Sequence, residues 1–191
     1  MNLKKYNLLL ASQSPRRRQL LSEAGFQFSV RPTDADETLP PQYPPEKAAE
    51  YLAALKAEAG REWLTTGQIL LAADTVVILA GVIFGKPTNY EDAFQMIQKL
   101  SGKTHEVITG VCLLSSEKKI SFSESSKVTF EHLSEEEIDF YIQNYRPFDK
   151  AGSYGIQEWI GLCKIQKIEG TYANVMGLPM NRVYEALKNH F

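Results

Sequence analysis

LLLASQSPRRRQLLSEAG, residues 8–25, reads as a buried strand that turns directly into a helix, and it sets the expectation of an α/β fold. Leu8 to Ala11 is an apolar run of strand length. Ser14 is placed to cap a helix and Pro15 to occupy its first position, where the missing N–H costs nothing. Leu20, Leu21 and Ala24 give that helix one apolar face, and Gly25 suits a left-handed C-cap. Arg16, Arg17 and Arg18 therefore fall in the first turn, where unpaired backbone N–H groups and the helix dipole are already positive. A phosphate would satisfy both the N–H groups and the guanidinium forks, with Ser12 and Ser14 able to add hydroxyls. The alternative is a solvated basic turn behind a capping motif.

On the C-terminal side, Phe26 to Val30 alternates like a strand, and RPTDADETLPPQYPP, residues 31–45, reads as a surface loop. Its Asp34, Asp36 and Glu37 could help hold a hard cation or could simply be solvated. Glu46 to Trp63 is expected to be helical, with Ala48, Leu52, Leu55 and Ala59 on one face and Lys56 beside that stripe. A lysine there snorkels to solvent or reaches toward a phosphate. Next comes ILLAADTVVIL, residues 69–79, a strand covered on both faces and interrupted by Asp74 and Thr75. A carboxylate in such a run is costly unless it is paired, hydrogen-bonded or metal-bound. Asp74 is thus the best catalytic candidate, as a base for water or a metal anchor, against a purely structural alternative. Lys86 precedes Pro87, which stiffens its backbone and suits a charge aimed at a fixed target.

Further along, Thr88 or Asn89 can cap a helix that buries Ala93, Met96, Ile97 and Leu100 and stops at Gly102. Thr104 to Leu114 and Ile120 to Phe130 read as a hairpin. His105 at its start fits a strand-end histidine bonded to backbone better than an acid or base. SEEE at Ser134 opens a capping box for a helix with Ile138, Tyr141 and Ile142 inward. RPFDKAGSYGIQ, residues 146–157, has neither period. Its Gly152 and Gly155 would form a flexible segment able to approach a ligand, and Gln157 offers a donor and an acceptor for a planar base edge; the alternative is a tight turn between helix and strand. Leu162 to Ile168 is expected as a strand, and Pro179 as the start of a last helix burying Val183, Tyr184 and Leu187. This alternation of strands and helices implies a mixed sheet.

The 191 residues suffice for one domain, possibly folded as two lobes, and a net charge of −2 argues against a broad basic field for nucleic acid or anionic membrane. Cys112 and Cys163 match no metal or redox spacing and are expected to be reduced packing residues. The first apolar run is too short for a signal peptide and no segment is long enough to span a bilayer, so a cytoplasmic protein is expected.

SQSPRRR, LAALKAEAG, AADTVV, GKP, SGKTHEVITGV, DKAGSYGIQ and NVMGLP, in that order, closely resemble the Maf family of nucleoside triphosphate pyrophosphatases across nearly the whole chain. The resemblance implies a single α/β domain over residues 1–191, with a mixed twisted sheet, flanking helices and two lobes around a deep cleft, similar to inosine triphosphate pyrophosphatases. It also implies a divalent cation, Mg²⁺ or Mn²⁺, and a homodimer. GSYGIQ looks like the branch acting on dTTP and UTP, which releases pyrophosphate and a nucleoside monophosphate in house-cleaning of nucleotide pools. By position, Asp74 resembles the proton acceptor, and Ser12, Arg16, Arg17, Lys56 and Lys86 resemble the phosphate-side residues. Arg16, Thr75 and Gln157 resemble positions linked to substrate choice, and Glu37 resembles an acid near the metal. Glu158 stands where that branch commonly has glycine, which leaves the loop beyond Gln157 open. The family is also associated with inhibition of septum formation. Two alternatives are a pyrophosphatase for a modified purine such as 7-methyl-GTP, and a non-enzymatic nucleotide sensor acting through a division partner.

Overall fold

A computed structural model describes residues 3–191 as a mixed α/β chain with a seven-stranded sheet. Its strands are β1 (Asn7–Leu10), β2 (Phe28–Val30), β3 (Gln68–Leu79), β4 (Val82–Phe84), β5 (Thr104–Leu114), β6 (Lys119–Phe130) and β7 (Ile165–Glu169). The order is β2-β1-β3-β5-β6-β7, with β4 paired to β3. The helices are α1 (Pro15–Glu23), α2 (Pro45–Ala59), α3 (Tyr90–Leu100), α4 (Glu135–Tyr145), α5 (Trp159–Cys163), α6 (Tyr172–Met176) and α7 (Met180–His190). The chain forms two compact units. The first takes residues up to Asp74, then Thr109–Glu124 and Gly177–Phe191; the second takes Thr75–Ile108 and Ser125–Met176.

In the first unit β1 pairs in parallel with both β2 and β3, Leu8 standing opposite Phe28 on one side and Ile69 on the other. Parallel neighbours need crossover connections, and α1 and α2 supply them. Leu9, Ala11, Ala53, Ala57, Leu70, Ala72, Cys112 and Leu114 form one buried cluster. The face that α2 buries differs from the expected one: Ala48, Ala49, Leu52, Ala53 and Ala57 are buried, whereas Leu55 is half-buried and Ala59 exposed. The cause is a close approach of backbone, since a Cβ on Gly110 of β5 would lie 2.2 Å from the carbonyl of Ala49. The helix also ends at Ala59 rather than Trp63; Gly60 and a 3₁₀ turn at Arg61–Trp63 follow.

In the second unit β3 and β4 form a two-residue hairpin, with Leu79 opposite Val82 and positive φ at Ala80 (50°) and Gly81 (78°), as a primed turn requires. β7 runs antiparallel to β6, Val128 opposite Ile168. Asn89 caps α3 by accepting from the Asp92 N–H, and Ser134 and Glu137 close the expected capping box on α4. The segment expected as a strand from Leu162 is different. Leu162 lies on the short helix α5 and is 79% exposed, and β7 begins only at Ile165. Cys163 ends that helix and is exposed, so of the two cysteines only Cys112 is a packing residue. Among the described residues no helix is long and apolar enough to cross a membrane.

Candidate active site

The first unit places three of the expected phosphate-side residues, Ser12, Arg16 and Arg17, at the start of α1. Ser14 caps the helix, its side chain accepting from the Arg17 N–H at 3.4 Å. Ser12, nearly buried, receives two donors at its hydroxyl oxygen: the Ser14 N–H at 3.2 Å and the Arg17 Nη1 at 3.3 Å. Both contacts use the Ser12 oxygen as acceptor and leave its own proton to donate. Arg17 Nε donates to the carbonyl of Gly177 at 2.8 Å. That contact gives NVMGLP a positioning role that no sequence pattern could reveal, because the acceptor is a backbone atom 160 residues away. No acidic side chain occupies the first turn of α1, so the positive end of the helix and Arg16, Arg17 and Arg18 are not compensated within it. Burial holds the Arg17 guanidinium below its usual pKa, and the charge of Asp74 pulls the other way.

Asp74 sits on β3 at 9% exposure. Its Oδ1 accepts a hydrogen bond from Lys56 Nζ, and the same ammonium stands 3.1 Å from Glu37 Oε1. Lys56 therefore neither snorkels to solvent nor stands alone: α2, β3 and the acidic loop each contribute one charge to a single cluster. Asp34 and Asp36 of that loop are exposed, and Asp36 accepts from the Thr38 N–H. Two carboxylates that converge on one ammonium also suit a hard divalent cation, which favours carboxylate oxygens and completes its shell with water and substrate phosphates. Among the described residues no group of three or more His, Cys, Asp or Glu side chains is placed to hold a metal ion.

Thr75, Lys86 and Gln157 belong to the second unit. Thr75 is half-buried on β3, and Lys86 is exposed just beyond β4. The Gly152 N–H donates to the Gly85 carbonyl at 3.0 Å, which ties the DKAG stretch to the backbone next to Lys86. Gly152 has φ 68°, and a Cβ there would lie 2.9 Å from Val77. These glycines thus permit close packing on the protein's own atoms; the segment from Gly152 to Gly155 is buried and fixed, where the sequence suggested a flexible one. Gln157 is half-buried, and its Oε1 is fully enclosed without a hydrogen-bond partner among the described residues. An enclosed acceptor left without a donor costs free energy.

Around Gln157 lies a network that the sequence reading did not assign. The Tyr141 hydroxyl accepts from the Gly155 N–H at 2.9 Å and donates to Glu158 Oε2. Burial and the adjacent carboxylate of Glu158 raise the pKa of Tyr141, so the hydroxyl keeps its proton and remains a donor. Buried Lys150 stands 3.0 Å from Glu158 Oε1 and 2.8 Å from Asp149 Oδ1. The legible signal was a pair of opposite charges flanking an otherwise small and apolar loop. His105 is buried against Tyr154 and Phe130, and it is paired with the Tyr154 hydroxyl at 2.8 Å rather than with backbone.

Residues 7–190 match the family described as Maf-like protein. The chain is 52% identical over 191 residues to a dTTP/UTP pyrophosphatase of Porphyromonas gingivalis, covering 98% of this chain and 96% of that protein. It is likewise 52% identical over 188 residues to a dTTP/UTP pyrophosphatase of Phocaeicola vulgatus, covering 98% and 97%. Among solved structures, the Ham1 protein of Staphylococcus aureus overlays 65% of this chain and 71% of its own at a TM-score of 0.48 and 14% identity.

Proposed function

This chain belongs to the Maf family, and from that premise we propose that it is a nucleoside triphosphate pyrophosphatase that hydrolyses dTTP and UTP to the monophosphate and pyrophosphate, with Mg²⁺ or Mn²⁺ as cofactor. The observation that carries the reading is the charge cluster of Asp74, Lys56 and Glu37, in the same unit as the arginine-bearing start of α1. Water adds at phosphorus as the bond between the first and second phosphates breaks, and Asp74 takes the proton that the water loses. Arg16, Arg17 and Lys56 offset the charge that grows on the departing pyrophosphate, and Ser12 donates a hydrogen bond to it; Lys86 is assigned a phosphate-side part by its resemblance to the family position. A divalent cation held by Asp74 and Glu37 supplies Lewis acidity and water activation when bound.

Gln157 is the base-reading residue of the proposal. Its enclosed Oε1 calls for a donor, and thymine and uracil each carry a ring N–H between two carbonyls, whereas cytosine presents a bare nitrogen at that place. A mismatched buried amide costs ~1–3 kcal/mol, equivalent to about 5- to 150-fold discrimination. Thr75 and Arg16 are assigned supporting parts in substrate choice. Such an enzyme clears unwanted nucleotides from the cytoplasmic pool. We assign it a homodimeric state, which light scattering measures directly.

The test is incubation with dTTP, UTP, CTP, purine triphosphates and 7-methyl-GTP, with and without Mg²⁺ or Mn²⁺, and chromatographic resolution of the products. Pyrophosphate with dTMP or UMP is expected, only with metal. Orthophosphate as the first product, a preference for 7-methyl-GTP, or nucleotide binding without turnover would overturn it.

A further inference from the structure

Gln157 can discriminate bases only if its amide is held in one orientation, and the neighbouring residues form a closed ring that does this. The Glu158 N–H donates to the Gly155 carbonyl at 3.1 Å and so closes a tight turn over Ile156 and Gln157. The Gly155 N–H donates to the Tyr141 hydroxyl, and that hydroxyl donates to the Glu158 carboxylate. Both ends of the turn are thus bonded to one phenol on α4. The other oxygen of Glu158 is held by Lys150, which is 7% exposed. Gly155 completes the fit, because a Cβ there would lie 2.8 Å from Glu158 Cδ and 3.0 Å from Gln157 Nε2. Among the described residues the amide oxygen of Gln157 is the buried side-chain polar atom of this turn without a hydrogen-bond partner.

We infer that Glu158 is a positioning residue for base selection: clamped by Tyr141 and Lys150, it fixes the turn that presents the Gln157 amide to the base. The inference rests on the base-reading role proposed for Gln157. Glu158 touches neither the phosphates nor the base in this scheme. Its loss would leave the cleavage chemistry in place and free the amide to reorient, so that both hydrogen-bonding patterns are accepted.

The experiment measures kcat/KM for UTP and CTP, with melting temperature, on wild type, Gln157→Ala, Glu158→Ala, Tyr141→Phe and the double variant Gln157→Ala/Glu158→Ala. The UTP-to-CTP ratio is expected to fall about tenfold in Gln157→Ala and by a similar factor in Glu158→Ala and Tyr141→Phe. In Glu158→Ala and Tyr141→Phe the CTP value should stay within about threefold of wild type, and the double variant should lose no more selectivity than Gln157→Ala alone, since the two residues act through one amide. A merely structural Glu158 would lower both substrates equally and leave the ratio intact, which overturns the inference. If Glu158→Ala does not fold, Tyr141→Phe decides, because it keeps the ring and removes only the link between Gly155 and Glu158. If Gln157→Ala leaves the ratio unchanged, the base-reading role itself is lost and the positioning role with it; a collapse in Gln157→Ala alone overturns only the latter.

Discussion

Asp74 carries two demands at once, to hold Lys56 and to serve the reacting water, and substitution can separate them. Asp74→Asn keeps an oxygen for the Lys56 ammonium but removes the negative charge. Turnover is expected to fall on the order of 10²-fold or more, as for other general bases. Exchanging an ion pair for a hydrogen bond from the ammonium to a neutral amide costs ~1 kcal/mol, which corresponds to roughly 2–4 °C in melting temperature for a chain of this size. Near-normal turnover in that variant, measured as pyrophosphate release, would leave Asp74 as a structural partner of Lys56 only. Asp74 was legible because a carboxylate in an apolar run of eleven residues has few innocent explanations. Glu158 and the Gly177 carbonyl were not, since each acquires its part through partners distant in sequence: Tyr141 for one, the guanidinium of Arg17 for the other.

Elements were legible where their determinants are local. The caps at Ser14, Asn89 and Ser134 each depend on a side chain and an N–H three residues on; those at Ser14 and Ser134 form as expected, and of the two candidates for α3 it is Asn89 that caps. The buried stripe of α2 was misjudged because its neighbour decides it: alanines face β5 where Gly110 lets the backbones nearly touch, and the larger Leu55 is turned aside. Leu162 was misjudged because a five-residue helix is too short to display a helical period. The contact at Gly110 makes its own prediction. A Cβ at 2.2 Å from the carbonyl of Ala49 cannot be relieved by a side-chain rotation, so Gly110→Ala must push α2 away from β5. The expected cost is ~3 kcal/mol, at the upper end for overpacking, and Lys56, two helical turns beyond Ala49, should lose its register with Asp74. A lowered urea midpoint accompanied by lower turnover is the expected result; an unchanged midpoint would contradict so close an approach.

For the molecule as a whole, the alternation of strands and helices was readable and two lobes were expected, but the points at which the chain passes between the units were not readable, since β3, β5 and β6 each run from one unit into the other without a break in their pattern. Stability against acid should depend on His105, whose burial pushes its pKa down to about 4 from 6.5. Between those values the unfolded chain binds a proton that the folded chain refuses, so stability is complete above pH 6.5 and declines as the pH falls toward 4. From pH 6.5 to 5 the loss is about 1.5 kcal/mol. Urea unfolding should register that loss in wild type, and His105→Gln should abolish most of it; the same slope in the variant would assign the effect to carboxylates. The crossing strands carry a further consequence, for heredity. The chain passes between the units after Asp74, Ile108, Glu124 and Met176, so the second unit is encoded in two separate stretches and the first in three. No single genetic crossover can transfer either unit intact to another gene. An exchange that carries the whole second unit, residues 75–176, must bring Thr109–Glu124 of the first unit with it.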